Sequence, residues 1–300
     1  MAFDLSRLHQ YPAPVRILIF ILILSLLWIP IALPIQWLVS LYAASPEASS
    51  NTATLLTLPL LYVEFILLVR WWGKRVYHQP DLLWRYGLEF SRRGGRELLL
   101  GLAIGVTLLF ALFLVQGAAN WLVWISPFSH LPRVILEGLV VALAIGFAEE
   151  LLFRGWLLDE LQRDYRSDVA LWVNAVVFAL VHGIKPQFPA LLLLGVTLVW
   201  AKRSRTNWDD SNCQTFSKKI LRGRLALSMG LHAGLVWGYY MINVGQLIKY
   251  TNRVPAWVTG IDRNPLAGVM GILFLSILAL VMQQLSHRTE GKRQRAEGGG

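Results

Sequence analysis

The sequence has very little cysteine and little charge. Cys213 is the single cysteine among 300 residues, which excludes an internal disulfide and a cysteine-rich zinc or iron–sulfur site. Charged residues make up 15% of the chain and hydrophobic residues 55%, with a mean hydropathy of +0.51. This balance excludes a water-soluble enzyme and indicates a chain that resides in a membrane.

Three catalytic patterns of membrane hydrolases are also missing. The sequence contains no H-E-x-x-H, which excludes a zinc site built from two histidines on one turn of a helix. It contains no G-x-S-G, so no serine is placed for a serine–histidine pair. No aspartate lies inside a clear apolar run, which excludes a pair of membrane aspartates. Any metal must therefore be bound by histidine and carboxylate side chains.

The chain instead contains a series of long apolar runs. Most approach or exceed the roughly 20 residues that a helix needs to cross a hydrocarbon core about 30 Å thick. They predict an all-α, polytopic integral membrane protein with about eight transmembrane helices in a single domain over residues 1–285. The predicted spans cover residues 17–42, 52–73, 97–118, 134–158, 169–184, 188–201, 224–245 and 265–285.

The 28 lysine and arginine residues are unevenly divided between the two ends of these spans. With the N-terminus inside, 23 of them lie in the inner connections and tails and 5 in the outer connections. Short cytoplasmic connections carry such an excess, so both termini are predicted to be cytoplasmic. The net charge of +10 then predicts contact with anionic lipid headgroups at the inner leaflet and no nucleic acid partner.

Two segments on the predicted cytoplasmic side are polar. Residues 202–223 are basic, contain asparagine, aspartate and serine at 207–212, and are predicted to form a cytoplasmic loop. Residues 286–300 are polar and charged and are predicted to form a disordered cytoplasmic tail.

Two adjacent glutamates lie inside the fourth span. Glu149 and Glu150 follow an apolar stretch at 139–147, and Arg154 comes four residues after Glu150. A charged side chain near the bilayer centre costs at least about 2.5–3.5 kcal/mol, so such groups normally pair or carry function. On a helix Glu150 and Arg154 share a face and can form an ion pair, whereas Glu149 points about 100° away. Glu149 is therefore suited to act as a general base on water.

Two further spans carry polar side chains. Asn174, Phe178 and His182 are spaced by four residues in the fifth span and so share one helix face. His232 lies between two glycines of the seventh span, which let neighbouring helices approach closely. Taken singly, each group has a structural explanation as an ion pair or an interhelical hydrogen bond. Their occurrence together on three spans favours a functional polar site.

Three motifs, in this order and on three spans, resemble those of a known family. The sequence 149–154 matches E-E-x-x-x-R, 178–182 matches F-x-x-x-H, and 230–234 (Gly-Leu-His-Ala-Gly) matches a third, histidine-bearing motif. Together they resemble the type II CAAX prenyl endopeptidase and bacteriocin self-immunity family, the CPBP intramembrane metalloproteases. The resemblance covers about residues 95–245.

This resemblance implies a helical bundle around a polar cavity that opens toward the cytoplasm, and an endopeptidase acting on a membrane-associated peptide or protein. Glu149 would activate the attacking water with support from Glu150 and Arg154, and His182 and His232 would stabilise the oxyanion or hold a metal. Zinc held by Glu149, His182 and His232 and a metal-free glutamate-activated water are both compatible with these residue types. The sequence leaves that choice open.

The sequence departs from the family pattern at Val236. The third motif commonly continues as H-x-x-x-N, but here valine, which donates no hydrogen bond, stands four residues after His232. Loss of an oxyanion donor costs about 10²–10³ in rate. Asn174 is the candidate substitute donor because it shares a helix face with His182, and Phe178 on the same face is a candidate supporting residue.

Two alternative functions stay open at this point. A non-proteolytic membrane scaffold or a protective, immunity-type partner would keep the same fold, and Val236 favours it. A proton-coupled transporter is the weaker alternative, because its carboxylates would have to line a path reachable from both faces. The expected location is a bacterial inner membrane, with a plastid or photosynthetic membrane as the alternative.

Overall fold

The computed structural model describes residues 5–43, 45–125, 131–204, 223–262 and 264–297. The chain forms two compact units, Met1–Arg85 and Tyr86–Gly300. Helices dominate both units, and the only sheet in the described ranges has two strands, so the all-α prediction is confirmed. A single transmembrane domain over residues 1–285 stays a prediction.

The first unit is built on two long helices. A 3₁₀ turn at Leu5–Gln10 precedes α1 at Ala13–Tyr42, and α2 at Pro46–Arg75 is followed by the short α3 at Leu82–Arg85. Pro14 lies in the first turn of α1, where the missing N–H would have no helical partner. The ring of Phe20 meets those of Phe65 and Trp72 edge to face, at centroid distances of 6.0 and 5.4 Å. Edge-to-face contacts between buried aromatic rings help to join α1 to α2.

The second unit contains the remaining elements. α4 at Arg92–Ala118 leads through β1 at Leu122–Trp124 to α5 at Leu131–Glu150, which continues as a π-helix at Leu151–Leu157 and as α6 at Leu158–Asp164. α7 at Ser167–Val181 and α8 at Phe188–Arg203 form a short antiparallel pair. α9 at Leu225–Val244 is followed by β2 at Ile248–Tyr250, α10 at Ala256–Thr259, a 3₁₀ turn at Pro265–Ala267 and α11 at Val269–Glu297.

Six helices within the described residues are long and apolar enough to cross a bilayer, which confirms a polytopic integral membrane protein. The predicted fifth and sixth spans correspond to α7 and α8, whose 15 and 16 residues are fewer than the roughly 20 of an ordinary crossing. The predicted fourth span is longer than expected, because helical structure runs from Leu131 to Asp164 through the π-helix. Eight crossings therefore stay a prediction.

The helix ends of the second unit meet in two groups. At one end, which we call the ribbon end, β1 pairs antiparallel with β2, Leu122 facing Tyr250, and so joins the C-termini of α4 and α9. At the other end, which we call the basic end, Arg224 before α9 pairs with Glu97 of α4. The Arg203 guanidinium of α8 there donates to the backbone carbonyl of Ser167 in α7.

Glycines allow α4 and α9 to pack with their backbones in contact. A Cβ on Gly105 of α4 would lie 2.7 Å from the backbone nitrogen of Leu235, and one on Gly230 of α9 would clash with the carbonyl oxygen of Leu98. Small residues at a membrane helix interface permit this approach, in which dispersion and weak polar contacts replace the hydrophobic effect. The close packing fixes the rotation of α9, on which His232 lies.

The end of the chain differs from its prediction. The tail predicted to be disordered from residue 286 continues α11 in helical form to Glu297. The hydroxyl of Thr289 contacts the carbonyl oxygens of Leu285 (2.9 Å) and of Ser204 (3.2 Å), so this turn packs on the end of α8. The tail residues include arginine, lysine, glutamate and glutamine, which favour helix and can extend one that is already nucleated. Most of the predicted loop at 202–223 lies outside the described residues.

We expect Gly105→Ala to destabilise the protein and Gly95→Ala to leave its stability unchanged or raise it slightly. A methyl group at Gly105 meets the α9 backbone, and overpacking of this kind costs about 1–3 kcal/mol. A methyl group at Gly95 has no atom within 4 Å and improves the helix propensity of α4. Thermal unfolding of the two detergent-solubilised variants measures the difference. Equal melting temperatures would contradict the tight α4–α9 contact.

Candidate active site

The candidate site begins where α5 changes into a π-helix. Glu149 and Glu150 are the last residues of α5, and Arg154 lies in the π-helix Leu151–Leu157. A π-helix bonds residue i to i+5 and occurs frequently at functional sites. Two side chains from neighbouring helices bond its carbonyl oxygens: the Asn174 amide donates to Phe153 at 2.7 Å and the Lys202 ammonium to Arg154 at 2.6 Å.

Glu150 is the centre of a fully buried ionic cluster. Its Oε1 accepts a hydrogen bond from Nη1 of Arg154 at 2.9 Å and lies 3.0 Å from Nδ1 of His232, and both Glu150 and Arg154 are 0% exposed. The other guanidinium nitrogen, Nη2, donates to the carbonyl oxygen of Gly195 at 3.3 Å. The guanidinium carbon also lies 4.2 Å from the ring centre of Phe178, in cation–π contact. The predicted Glu150–Arg154 pair is thus present. Its contacts join α5 to Gly195 of α8, His232 of α9 and Phe178 of α7.

Glu149 points away from this cluster, toward the two histidines. Its Oε2 lies 3.6 Å from Nε2 of His182 and 3.9 Å from Nε2 of His232. This oxygen is buried and has no hydrogen-bond partner among the described residues. The Glu149 side chain as a whole is 22% exposed, in contrast to Glu150. The two adjacent carboxylates therefore have different surroundings, as the sequence predicted.

The partners of Nδ1 determine what each histidine offers to Glu149. Nδ1 of His182 lies 2.7 Å from the carbonyl oxygen of Phe178, which can only accept, so Nδ1 carries the proton. Nδ1 of His232 likewise faces a carboxylate oxygen of Glu150. In their neutral forms both rings then present the lone pair of Nε2 toward Glu149. In the protonated form, Nε2 becomes a hydrogen-bond donor at the same place.

Phe178 and Asn174 pack beside the two glutamates and the two histidines. The ring of Phe178 lies 4.7 Å from that of His182 and 6.1 Å from that of His232, so it separates and orients the two imidazoles. Asn174 is fully buried, does not line the cavity described below, and bonds the Phe153 carbonyl through its amide nitrogen. The structure therefore places Asn174 behind the glutamates and histidines and does not place it as a substitute oxyanion donor.

The three side chains expected to hold zinc are near one another. In the part of the chain that the structure describes, no group of three or more His, Cys, Asp or Glu side chains is arranged to hold a metal ion. The donor chemistry nevertheless fits, because two imidazoles with Nδ1 engaged and one carboxylate make up a known catalytic zinc set. Both distances from Glu149 to the imidazoles are less than twice a zinc–ligand bond of about 2.0–2.2 Å.

A largely apolar cavity of about 280 Å³ adjoins Glu149, His182 and His232. This volume is close to the lower limit of roughly 300 Å³ that is usual for ligand pockets. Val236 and Tyr239 line it from α9, and the residues of the turn at 264–266 line it from the segment before α11. Val236 therefore faces the cavity at the position where the family pattern has an amide.

The cavity lies on the ribbon side of the carboxylates. Apart from Glu149, the histidines and Ile145, its lining comes from the halves of the helices nearer the ribbon end and from the segments beyond them, with Leu109 of α4 and Gln187 before α8 as examples. The resemblance predicted a cavity opening toward the cytoplasm. The structure places the cavity relative to the two ends of the unit, and the cytoplasmic opening stays a prediction.

Several residues of the site were missed from the sequence. Lys202 was counted only as a basic residue of a connection, yet its side chain is buried against the π-helix. The carbonyl of Gly195 and the turn at 264–266 carry no motif and meet the site only through tertiary packing. A lysine within an apolar run just before a polar loop was the single available signal, and it applies only to Lys202.

Comparison with known proteins is consistent with this site. The family model for type II CAAX prenyl endopeptidase Rce1-like proteins matches residues 131–238, the segment that carries all three motifs. The resemblance stated from the motifs is thereby confirmed for this segment, and it supports a CAAX protease-like function in general terms. No curated protein and no solved structure matches the chain.

Replacement of Arg154 by leucine is expected to destabilise the protein by about 3–5 kcal/mol. The change leaves Glu150 as a buried carboxylate without its guanidinium partner, which is far costlier than loss of an exposed pair. Arg133→Leu is the matched control, because Arg133 and Glu137 form an i, i+4 pair that is largely exposed and contributes little to stability. Chemical unfolding in detergent compares the two. Similar losses would show that the buried pair is not a major stabilising contact.

Proposed function

We propose that this chain is an intramembrane endopeptidase in which Glu149 activates the attacking water. The observation that carries the proposal is the Glu149 carboxylate at the edge of a cavity, with Oε2 at 3.6 Å from Nε2 of His182 and 3.9 Å from Nε2 of His232. A carboxylate that borders the cavity can accept a proton from a water bound there. The match to CAAX endopeptidase-like proteins over residues 131–238 supports peptide hydrolysis as the reaction.

The proposed reaction transfers one proton and breaks one bond. Glu149 removes a proton from water, and the resulting hydroxide attacks the carbonyl carbon of the scissile peptide bond. The tetrahedral intermediate then expels the amine, which takes the proton from Glu149. The negative oxygen of the intermediate requires donors aimed at it, and this electrostatic stabilisation is usually the largest contribution to catalysis.

A histidine is the proposed donor, because Nε2 of both His182 and His232 is directed toward Glu149 at the edge of the cavity. A protonated imidazole would keep its Nδ1 contact and turn its Nε2 into a hydrogen-bond donor there. Glu150 and Arg154 would then act as positioning residues through His232.

A divalent metal, with zinc as the first candidate, stays part of the proposal. Nε2 of His182, Nε2 of His232 and the Glu149 carboxylate would hold it. When bound, such an ion polarises a carbonyl or lowers the pKa of a water. The roles proposed above for the buried ion pair and for the orientation of the two imidazoles apply with or without it.

The proposed substrate is a membrane-associated peptide or protein. The cavity is lined mainly by apolar side chains, with leucines, Val236 and Tyr239 among them, so it suits a hydrophobic side chain next to the scissile bond. We further propose that both termini are cytoplasmic and that the basic end contacts anionic headgroups. A bacterial inner membrane remains the proposed location, with a plastid or photosynthetic membrane as the alternative.

A non-proteolytic scaffold or protective partner is the second candidate function. Val236 favours it, because Val236 faces the cavity without a hydrogen-bond donor and Asn174 does not replace the missing amide. The position of the Glu149 carboxylate at the cavity, beside two imidazoles, favours the hydrolase. A transporter is disfavoured by the buried residues Arg154 and Lys202 on the basic side of the site.

Glu149→Gln is expected to abolish proteolysis and leave the fold intact. The amide keeps the size of the side chain but cannot act as the base, and loss of a general base costs at least about 10²-fold in rate. New protein N-termini are measured by mass spectrometry in membranes of cells that lack this chain and are complemented with wild type or variant. Glu137→Gln is the control, because Glu137 lies on the same helix, exposed and away from the cavity. Termini that persist with Glu149→Gln would refute the proposal.

Val236→Asn is expected to raise the rate of the Glu149-dependent cleavage. An amide at this position would supply a donor inside the cavity, and one oxyanion donor contributes up to about 10²–10³ in rate. Val236→Leu keeps the position apolar and should give no increase. The rates of appearance of the same N-termini are compared among the three proteins. If neither wild type nor Val236→Asn shows Glu149-dependent cleavage, the hydrolase is refuted and the scaffold becomes the favoured function.

A further inference from the structure

The two ends of the second unit differ strongly in charge. Nine arginine and lysine residues with described side chains lie at the basic end and four at the ribbon end. Those at the basic end are Arg92, Arg93, Arg96, Arg163, Arg166, Lys202, Arg203, Arg224 and Arg288, and those at the ribbon end are Arg133, Lys185, Lys249 and Arg253. Because short cytoplasmic segments carry the excess of positive charge, the basic end is the cytoplasmic end.

The cavity opens toward the ribbon end. Along α9 the side chains between Arg224 and His232 are nearly all buried, including Ser228 at 0% exposure. Beyond His232, toward the ribbon end, Val236 is half-buried and Tyr239 is 37% exposed, and both line the cavity. The opening of the site therefore increases toward the end with few basic residues.

The path from the site to the basic end is filled by side chains. Arg154 is fully buried, and Lys202 is 5% exposed with its ammonium on the Arg154 carbonyl. Trp156 of the π-helix is also buried. Since removing these charges from their partners would be costly, this side of the site does not open readily to a peptide.

We propose that the chain takes its substrate from the non-cytoplasmic side of the membrane. The substrate class is then a membrane protein or peptide whose scissile bond lies in a segment on that side, with an apolar side chain seated against Val236 and Tyr239. This inference rests on the proposed function, because only a hydrolase has a substrate to admit. The direction of access to the cavity is independent of whether hydrolysis occurs.

Cysteine accessibility in the full-length protein tests the direction of access. Cys213 is first replaced by serine, and single cysteines are then placed in the cavity as Val236→Cys and Tyr239→Cys. Lys185→Cys marks the ribbon end and Arg288→Cys the basic end, since both residues are exposed and lie outside the cavity. Sealed vesicles of the two orientations are treated with a membrane-impermeant, charged methanethiosulfonate reagent, and the modified fraction is measured by mass spectrometry.

We expect the cavity cysteines to be modified in the same vesicles as Lys185→Cys, and Arg288→Cys to be modified in the opposite vesicles, from the cytoplasmic side. Modification of the cavity cysteines together with Arg288→Cys overturns the proposal, as does a Lys185→Cys that reacts from the cytoplasm. The absence of reaction at both cavity positions from the Lys185 side also overturns it. Two cavity positions are used so that the failure of one variant to fold does not decide the result.

The substrates provide a separate check. If Glu149-dependent N-termini are found, they should lie in segments on the non-cytoplasmic side of their proteins. Termini confined to cytoplasmic segments would overturn the inference and leave the proposed hydrolase in place. If no Glu149-dependent termini are found while the cysteines react as expected, the proposed hydrolase fails and the direction of the cavity stands.

Discussion

The contact on which the site depends is the buried ion pair between Glu150 and Arg154. Neither side chain has contact with solvent, so each charge is stable there only while the other is in place. The pair also holds Nδ1 of His232 on Glu150 and the guanidinium on the carbonyl of Gly195. One salt bridge therefore sets the relative positions of α5, α8 and α9 and leaves the neighbouring Glu149 carboxylate for another use.

The π-helix and the close packing of α4 against α9 also position the side chains of the site. The π-helix after Glu150 places the backbone carbonyl oxygens of Phe153 and Arg154 where Asn174 and Lys202 donate hydrogen bonds to them. The glycine contacts between α4 and α9 hold His232 close to α5 without any polar contact of their own. In lipid, where the hydrophobic effect between helices is absent, backbone contact and internal hydrogen bonds position the site.

The two ends of the second unit differ in packing and in access to the site. Toward the basic end, buried charges and close packing give a rigid base beneath the carboxylates. Toward the ribbon end, apolar lining and rising exposure leave a cavity that reaches Glu149. A site with one packed side and one accessible side fits an enzyme or a binding partner better than a transporter, which needs access from both sides.

The sequence by itself determined the membrane class, the long spans and the five ionisable side chains that the structure brings together, Glu149, Glu150, Arg154, His182 and His232. Span length and helical spacing are local properties, so the meeting of Glu150 with Arg154 could be predicted from residues four apart. Only the tertiary structure decided that Asn174 bonds Phe153, that Lys202 is buried on the π-helix, that α11 continues to Glu297, and that the cavity faces the ribbon end. These features depend on how each helix is rotated and which partner it packs against, and contacts between residues 20 to 130 apart in the chain leave no periodic pattern in the sequence.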